Sequence, residues 1–474
     1  MTNTLSNPIH NPWLILTVTA TGTFMATLDA GIVSVALPTI TASFQADLPL
    51  AQWVVSAYLL VISSLLPIFG RAGDMYGHRL VYTSGFVVFT VSSIACGLSH
   101  SIGSLIAMRV LQAIGASMLM ANAPGIVARA FPPSLRGRAL GINGTVVALG
   151  SMTGPGLGGL LVGTLGWQSI FFVNIPVGIA GIMLARIFLP SGEKKHDETF
   201  DFKGAACFSL GICILLLVLS HGVDWGWTSF YVKAGFTVSI LSFFLFFHIE
   251  KRTEHPMIDL SLFRIRPFLA GNLSGLLSFM AVFCNSIMLP FYLSTVLQLS
   301  PTQIGLLITP FPLIMAVTAP FSGYLSDKIS PVILTTGGLA ITTAGLLVLS
   351  TLGTTTSLWQ IAIMQGVLGL GNGFFQAPNN NSVMSSVPQS KTGIAGSINA
   401  LMRNLGMVTG TAAAVSVFEN HRRYLLADIA QPDHVQTIAA FLSGYHSALL
   451  VGAAFAAIGA FISLNRKAHF APNK

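Results

Sequence analysis

The sequence predicts an all-α membrane protein with many spans, because charges are rare and uncharged runs are long. Of 474 residues, 53% are hydrophobic and only 8% are charged, whereas soluble globular domains carry about 25% charged residues. Uncharged runs cover 139–185, 267–326 and 329–390. Each run has room for two helices of about 20 residues, the length that crosses a hydrocarbon core. A disordered chain and a water-soluble enzyme are therefore excluded.

Hydropathy divides the chain into fourteen predicted spans, and alternate loops collect the basic residues. These spans are 13–36, 51–70, 80–98, 102–122, 139–162, 167–188, 204–222, 229–248, 268–297, 303–325, 332–351, 357–377, 394–418 and 441–464. The loops on one side hold 18 of the 23 Lys and Arg residues. Basic loops face the cytoplasm, so we expect an inner-membrane protein with both termini in the cytoplasm. The net charge of +8 comes from basic residues in these loops, which is typical of membrane topology, so nucleic acid is not an expected partner.

An internal repeat relates the two halves of the chain. A G-x-x-x-D pattern at 70–74 returns 253 residues later at 323–327, both times at the end of a predicted span. The same offset carries Gln112 onto Gln365. Two landmarks in one register indicate two helical bundles of similar plan, a feature of alternating-access transporters.

The predicted domain organisation follows from that repeat. Residues 1–190 form an N-terminal six-helix bundle, and residues 267–474 form a C-terminal one. Residues 191–266 form a linker that contains two additional spans. The predicted fold is thus two pseudo-symmetric six-helix bundles plus two extra central helices.

Three ionisable side chains, Asp29, Arg109 and Arg403, are predicted to lie deep in the bilayer. Each would cost about 2.5–3.5 kcal/mol at a lipid-facing helix centre, so each is expected to face a wet interior or a partner. Asp29 and Arg109 both lie ~10 Å below the same surface, at 1.5 Å per residue. Tyr58 shares that level and is a candidate hydrogen-bond donor.

The predicted proximity of Asp29 and Arg109 supports two interpretations. A movement of Arg109 would switch Asp29 between its ionised and protonated forms, which would couple the protein to protons. Alternatively, the pair is a static buried salt bridge. Intramembrane acids are functional by default, which favours proton coupling.

Small, polar, methionine and aromatic side chains line one face of several predicted helices and are candidates for a substrate cavity. Met and aromatic groups suit bulky apolar cations through adaptable packing and cation–π contact, although the same faces could pack against neighbouring helices. The candidates are Phe24, Met25, Tyr58, Asn285, Met288, Tyr292, Gln365, Asn372, Gln376 and Arg403.

No metal site or cofactor is predicted. The four cysteines fall inside predicted spans without the spacing of a metal site and are interpreted as core residues. The eleven histidines form no H-E-x-x-H motif or Cys/His cluster.

Five segments together resemble the major facilitator superfamily, and within it the fourteen-span drug:proton antiporters. They are the loop 70–79 (GRAGDMYGHR), the fourth-span motif 105–115, the glycine-rich motif 150–159 (GSMTGPGLGG), the first-span motif 28–38 and the sixth-span motif 167–178. In the glycine-rich motif, glycines permit close helix approach and the proline removes a backbone donor, which kinks the helix.

The resemblance implies a transporter rather than an enzyme, exporting lipophilic, cationic drugs in exchange for protons, with Asp29 and Arg109 as coupling residues. It implies gating roles for Gly70, Arg71, Asp74, Arg79, Gly154 and Pro155, and the repeat adds Asp327. Expected partners are small-molecule drugs or cations, protons and the lipid bilayer, with an accessory periplasmic protein as a further candidate. Two alternatives stay open: an exporter of an endogenous metabolite, lipid or siderophore, and a non-transporting membrane sensor.

Overall fold

The computed structural model describes residues 11–190, 201–252, 260–326, 328–388, 392–427 and 433–466, whose regular structure is helical. A 3-10 turn covers Leu260–Arg264. The α-helices are α1 Pro12–Phe44, α2 Leu48–Ala51, α3 Trp53–Tyr76, α4 His78–Gly97, α5 Ile102–Ala130, α6 Pro133–Leu165, α7 Ser169–Phe172, α8 Asn174–Phe188, α9 Phe202–Trp225, α10 Phe230–Glu250, α11 Arg266–Thr295, α12 Pro301–Ile308, α13 Pro310–Ser326, α14 Pro331–Leu349, α15 Leu358–Ser385, α16 Thr392–Leu426 and α17 His434–Leu464.

Ten of the described helical segments are long and apolar enough to cross a membrane. The long helices α6, α9, α15 and α16 fall outside that set. Polar side chains explain this for α15, which carries three glutamines and four asparagines along its length. The fold is thus a multi-pass helical membrane protein, while the count of fourteen spans stays a prediction.

Proline residues have different effects on two of the predicted spans. The tenth span is divided into α12 and α13, with Pro310 at the start of the second piece. Proline lacks a backbone donor and clashes with the preceding turn, so a break is expected there. Helix α6 nevertheless continues through Pro155.

The long helices pack in two groups with a smaller pair beside them. In the first group, α1 packs against α5, α6 and α8, while α4 packs against α5 and α8. In the second group, α11 packs against α16 and α17, and α15 packs against α13 and α14. Helices α9 and α10 pack on each other, and α9 also contacts α3 and α16.

Glycines on two faces of α6 allow close contact with both groups. A Cβ atom at Gly154 would lie 3.0 Å from the carbonyl oxygen of Leu28 on α1. On another face, a Cβ atom at Gly159 would lie 2.7 Å from both the Cα atom of Gly305 and the carbonyl oxygen of Pro301. Helix α6 therefore packs within its own group on one face and against α12 of the second group on the other.

Candidate functional site

A buried ion pair lies inside the first group of helices. Asp29 on α1 and Arg109 on α5 both have no exposed surface. One guanidinium nitrogen of Arg109, Nη1, donates to Oδ2 of Asp29. The structure therefore brings together the two ionisable groups that the depth argument predicted to be close.

The second carboxylate oxygen of Asp29 accepts from two amides. Oδ1 lies 3.0 Å from Nε2 of Gln112 on α5 and 3.0 Å from Nδ2 of Asn174 on α8. Gln112 also donates to Oγ of Ser93 on α4 at 2.7 Å and accepts from Nη1 of Arg109 at 2.6 Å. We call Asp29, Arg109, Gln112 and Asn174 the Asp29 site; its hydrogen bonds join α1, α5 and α8.

The remaining contacts of Arg109 fix its guanidinium. Its Nε donates to the backbone carbonyl of Val54 at 2.9 Å, and its Cζ lies 4.0 Å from the ring centroid of Tyr58. Tyr58 donates its hydroxyl to the carbonyl of Ala26 at 3.2 Å, so it contacts the guanidinium through its ring and does not bond to Asp29. A charge above an aromatic face is favourable where water is excluded.

Sequence reasoning did not place Gln112 or Asn174 beside Asp29, although signals for both were present. Gln112 lies three residues after Arg109 and therefore on the same helical face. Asn174 lies within the sixth-span motif that resembles the family. A polar residue three or four positions from a predicted buried charge therefore predicts a hydrogen-bond partner for that charge.

The geometry of the Asp29 site permits a charge-compensated carboxylate without contact with water. A buried charge that lost its partner would be costly, so protonation of Asp29 and its ion pair with Arg109 are alternative ways to satisfy the same group. Among the described residues, no group of three or more His, Cys, Asp or Glu side chains could hold a metal ion.

A second polar region is a cleft between α11, α15 and α16. It is lined by Gly271, Asn272, Gly275, Phe279, Gln376, Asn379, Asn380, Asn399, Met402 and Arg403, and we call it the amide cleft. Of the predicted cavity residues, it contains Gln376 and Arg403. No acidic residue is among the described residues that line it.

Other predicted cavity residues lie in packed interiors. Met25 and Met288 are fully buried within the hydrophobic core, while Phe24 is partly buried. Tyr292, also fully buried, stacks on Tyr445 with ring centroids 4.9 Å apart. Met25, Met288 and Tyr292 pack in the hydrophobic core and do not line the amide cleft, and Phe24 is not among its lining residues.

The predicted polar residues of α11 and α15 outside the amide cleft bond between helices. Asn285 donates to Oε1 of Gln365 at 3.3 Å, and Asn372 lies 3.5 Å from Oγ of Ser278. All four are buried. They provide interhelical hydrogen bonds, the packing alternative raised for such faces.

The predicted gating residues are only partly described. Arg79 donates to the carbonyl of Arg186 at 2.5 Å, which joins the start of α4 to the end of α8. Gly70 and Arg71 lie in the last turns of α3. The side chain of Asp74 and the whole of Asp327 lie outside the described residues.

The fold and its two polar regions define a class: a polytopic helical transporter with one buried polar site in the first group of helices and a polar cleft in the second. The chain belongs to the Major Facilitator Superfamily, whose family model matches residues 19–411 and 272–471. It is a multi-pass membrane transporter and not an enzyme.

The chain is similar to transporters whose names indicate different substrates. It is 38% identical over 413 residues to the riboflavin transporter RibZ of Clostridioides difficile, covering 87% of this chain and 89% of that protein. It is 31% identical over 402 residues to the tetracenomycin C resistance and export protein of Streptomyces glaucescens, covering 85% and 75%. Its fold matches that of a bacterial homologue of the human lysosomal transporter Spinster, solved in an inward-facing and unoccupied conformation, with a TM-score of 0.67, 16% identity and 97% of each chain covered.

Proposed function

We propose that this protein is a proton-coupled antiporter that exports small lipophilic organic compounds by alternating access, with Asp29 as the proton site. The observation that carries the proposal is a fully buried carboxylate held by one arginine and two amides from separate helices. Export is supported by similarity to a resistance and export protein. We also propose fourteen spans, the boundaries near 190 and 267, and an inner-membrane location with cytoplasmic termini.

Protonation would change the packing of the first bundle. Ionised Asp29 accepts hydrogen bonds from α5 and α8 and attracts Arg109. A proton on the carboxyl removes its negative charge, so Arg109 loses its counter-charge and α1 loses much of its attraction to α5. A proton that favours one arrangement of the helices and a substrate that favours the other exchange by population shift.

The contact between α6 and α12 supports an assignment of the conformation. Gly159 lies near the end of α6, and Gly305 lies in the short helix that follows the loop between α11 and α12. With cytoplasmic termini, both residues belong to the external half of the protein. We therefore assign the structure to a conformation closed on the external side, with the amide cleft on the cytoplasmic side.

The proposed gate at the cytoplasmic side consists of Gly70, Arg71, Asp74 and Arg79, with Asp327 as its counterpart in the second half. Its support is the family resemblance and the repeat. Gly154 and Pro155 belong to the seam between α6 and its neighbours. An accessory periplasmic protein stays a candidate partner on resemblance alone.

The cation preference expected from the sequence has little support in the amide cleft. Asp29, the acid proposed as the proton site, is already paired with Arg109. The charged side chain that lines the cleft is Arg403. The proposed substrate class is therefore lipophilic organic compounds without a required positive charge.

Transport of a flavin-like metabolite is a second candidate function. RibZ, a riboflavin transporter, is 38% identical to this chain over most of both proteins. The amide cleft offers five Asn and Gln side chains, which can donate and accept hydrogen bonds at once, as a heterocycle with carbonyl and N–H groups requires. Riboflavin accumulation in inverted vesicles with and without a proton gradient would separate this candidate from drug export.

Drug-driven proton movement in inverted vesicles tests the proposal. Vesicles from a pump-deficient host are energised, and a pH-sensitive dye follows proton efflux after ethidium, tetracycline or riboflavin is added. We expect a response for at least one compound with the wild type and none with Asp29→Asn. A full response in Asp29→Asn would place coupling elsewhere, and uptake of the compound by the wild type without proton movement would reject antiport.

Glu419→Gln is the matched control for that experiment. Glu419 is also a buried carboxylate, accepting from Arg422 at 2.7 Å and from Arg423 at 3.2 Å. It lies on α16, outside the Asp29 site. The control should keep proton movement, so a loss confined to Asp29→Asn cannot be assigned to removal of any buried ion-paired acid. A sensor that does not transport would show no response in any of the variants.

A further inference from the structure

Arg403 lies at the wall of the amide cleft and has no partner among the residues that the structure describes. It is partly buried on α16, and within the described chain it makes no hydrogen bond or ion pair. Arginine inside a membrane protein normally pairs with an acid or with backbone carbonyls. The five N–H groups of this guanidinium are therefore available to a molecule that enters the cleft.

Arg466 provides a second, independent observation behind the same wall. Its side chain is 4% exposed, and Nη1 donates to Oδ1 of Asn379 at 2.9 Å. Its Nε and Nη2 atoms have no hydrogen-bond partner among the described residues. Nη2 is directed at the cleft-lining Gly271, where a Cβ atom would lie 2.6 Å from it.

Two amides extend this arrangement of donors. Nε2 of Gln376 is buried and has no partner in the described chain. Asn379 donates to the carbonyl of Gly271 at 3.0 Å while accepting from Arg466, so its amide is fixed between the cleft and the buried cation. Two guanidinium groups and an uncommitted amide donor therefore lie around a cleft whose described lining has no acid.

We propose that the amide cleft holds an anionic group of the transported molecule, a carboxylate or phosphate-type oxyanion, with Arg403 as its direct partner. Arg466 adds positive charge from behind Asn379 and Gly271. The proposal rests on the transport function proposed above and gives its substrate a charge opposite to the one expected from the sequence. Guanidinium groups suit this role because they match planar oxyanions through paired hydrogen bonds.

Dye binding to the full-length protein in lipid nanodiscs tests this proposal without any proton gradient. Fluorescence polarisation compares 5-carboxyfluorescein, an anionic xanthene dye, with rhodamine 123, a cationic dye of similar ring system. Empty nanodiscs correct for partition into lipid. We expect the anionic dye to bind at least about 10-fold more tightly, the scale of one charge-assisted hydrogen bond. Equal affinity, tighter binding of the cationic dye or no binding of the anionic dye would overturn the proposal.

Variants of Arg403 and Asn380 test whether the anionic dye binds in the amide cleft. Arg403→Gln should weaken binding of the anionic dye about 10-fold and leave the cationic dye unchanged. Arg403→Lys keeps the charge without the paired geometry and should weaken it less than Arg403→Gln does. If Arg403→Gln does not fold, Asn380→Asp decides, because Asn380 is exposed in the cleft and the change adds a negative charge there. Unchanged binding of the anionic dye in Asn380→Asp would contradict the proposal.

Asp29→Asn separates this proposal from the proposed coupling. We expect that variant to keep the preference for the anionic dye while losing proton movement. A wild type that moves protons but prefers the cationic dye would reject the anion site alone. A wild type that prefers the anionic dye but moves no protons would reject the coupling alone.

Discussion

The Asp29 site and the amide cleft differ in how their charges are compensated. In the Asp29 site, a carboxylate and a guanidinium are fully buried and bonded to each other. In the amide cleft, Arg403 has no described partner, and the nearby amide of Gln376 has an unsatisfied nitrogen. A closed, compensated site suits a switch, whereas hydrogen-bond donors without described partners suit the binding of a ligand. The comparison indicates that the two bundles have different tasks.

The internal repeat shows where the two halves diverge. Gln112 and Gln365 occupy the same repeat position, and the same offset carries Arg109 onto Ala362 and Asp29 onto Val282. Gln112 bonds to Asp29, whereas Gln365 accepts from Asn285. The second half therefore keeps the amide of the pattern and lacks both of its charges.

Removing one arginine from each half should have the largest and most unequal effect on stability. Arg109→Gln leaves Asp29 buried without its counter-charge, which should cost about 3–5 kcal/mol. Arg403→Gln removes a partly exposed cation with no described partner and should change stability by about 1 kcal/mol or less. Thermal unfolding in nanodiscs measures both. Equal losses would contradict the contrast between the two regions.

Gln112 and Gln365, which share a repeat position, should differ in their contributions to stability by an intermediate amount. Gln112→Leu removes bonds to Asp29, Ser93 and Arg109 and should cost about 2–3 kcal/mol, as for hydrogen bonds to charged groups. Gln365→Leu removes one neutral hydrogen bond and should cost about 1 kcal/mol or less. Unfolding of the two variants under the same conditions provides the comparison; a larger loss for Gln365→Leu would reverse it.

Substitution of Tyr292 tests which residues line the amide cleft, and it should have the smallest effect on stability of the three tests. Its hydroxyl donates to the carbonyl of Gly353 at 2.6 Å, so Tyr292→Phe should cost about 1 kcal/mol. Because the side chain is buried outside the cleft, binding of 5-carboxyfluorescein should not change. Weaker dye binding in Tyr292→Phe would place this residue back among the substrate contacts.

The sequence was sufficient for the helical membrane fold and for the family, because low charge density and long apolar runs constrain both. It also predicted the proximity of Asp29 and Arg109, since residues at equal depth on neighbouring helices can meet. It did not identify which polar faces are open. Polar and aromatic side chains such as Asn285, Tyr292 and Gln365 are typical of a cavity, yet these three pack between helices. The rotation of each helix about its axis determines whether a polar face meets a cavity or another helix. The pattern of residues on one helix does not specify that rotation.

The expected preference for cationic substrates has little support in the structure, because the sequence does not show which charged side chains pair. The sequence contains a single predicted intramembrane acid and two arginines, and the preference for cations rested on the family resemblance and on Met and aromatic side chains. In the structure the arginine beside that acid compensates it, which leaves Arg403 as the charge in the amide cleft. The balance of charge in a cavity depends on which partners meet, and spacing along the chain does not determine it.

Infrared difference spectroscopy of the purified protein tests whether Asp29 is the proton site, because it detects protonation of a buried carboxyl without a known substrate. We compare the carboxylic acid C=O band on acidification in the wild type, in the charge-neutral double variant Asp29→Asn with Arg109→Gln, and in Glu419→Gln. We expect one C=O band of the wild type to be absent from the double variant and present in Glu419→Gln. Identical C=O bands in the wild type and the double variant would contradict the assignment of Asp29 as the proton site.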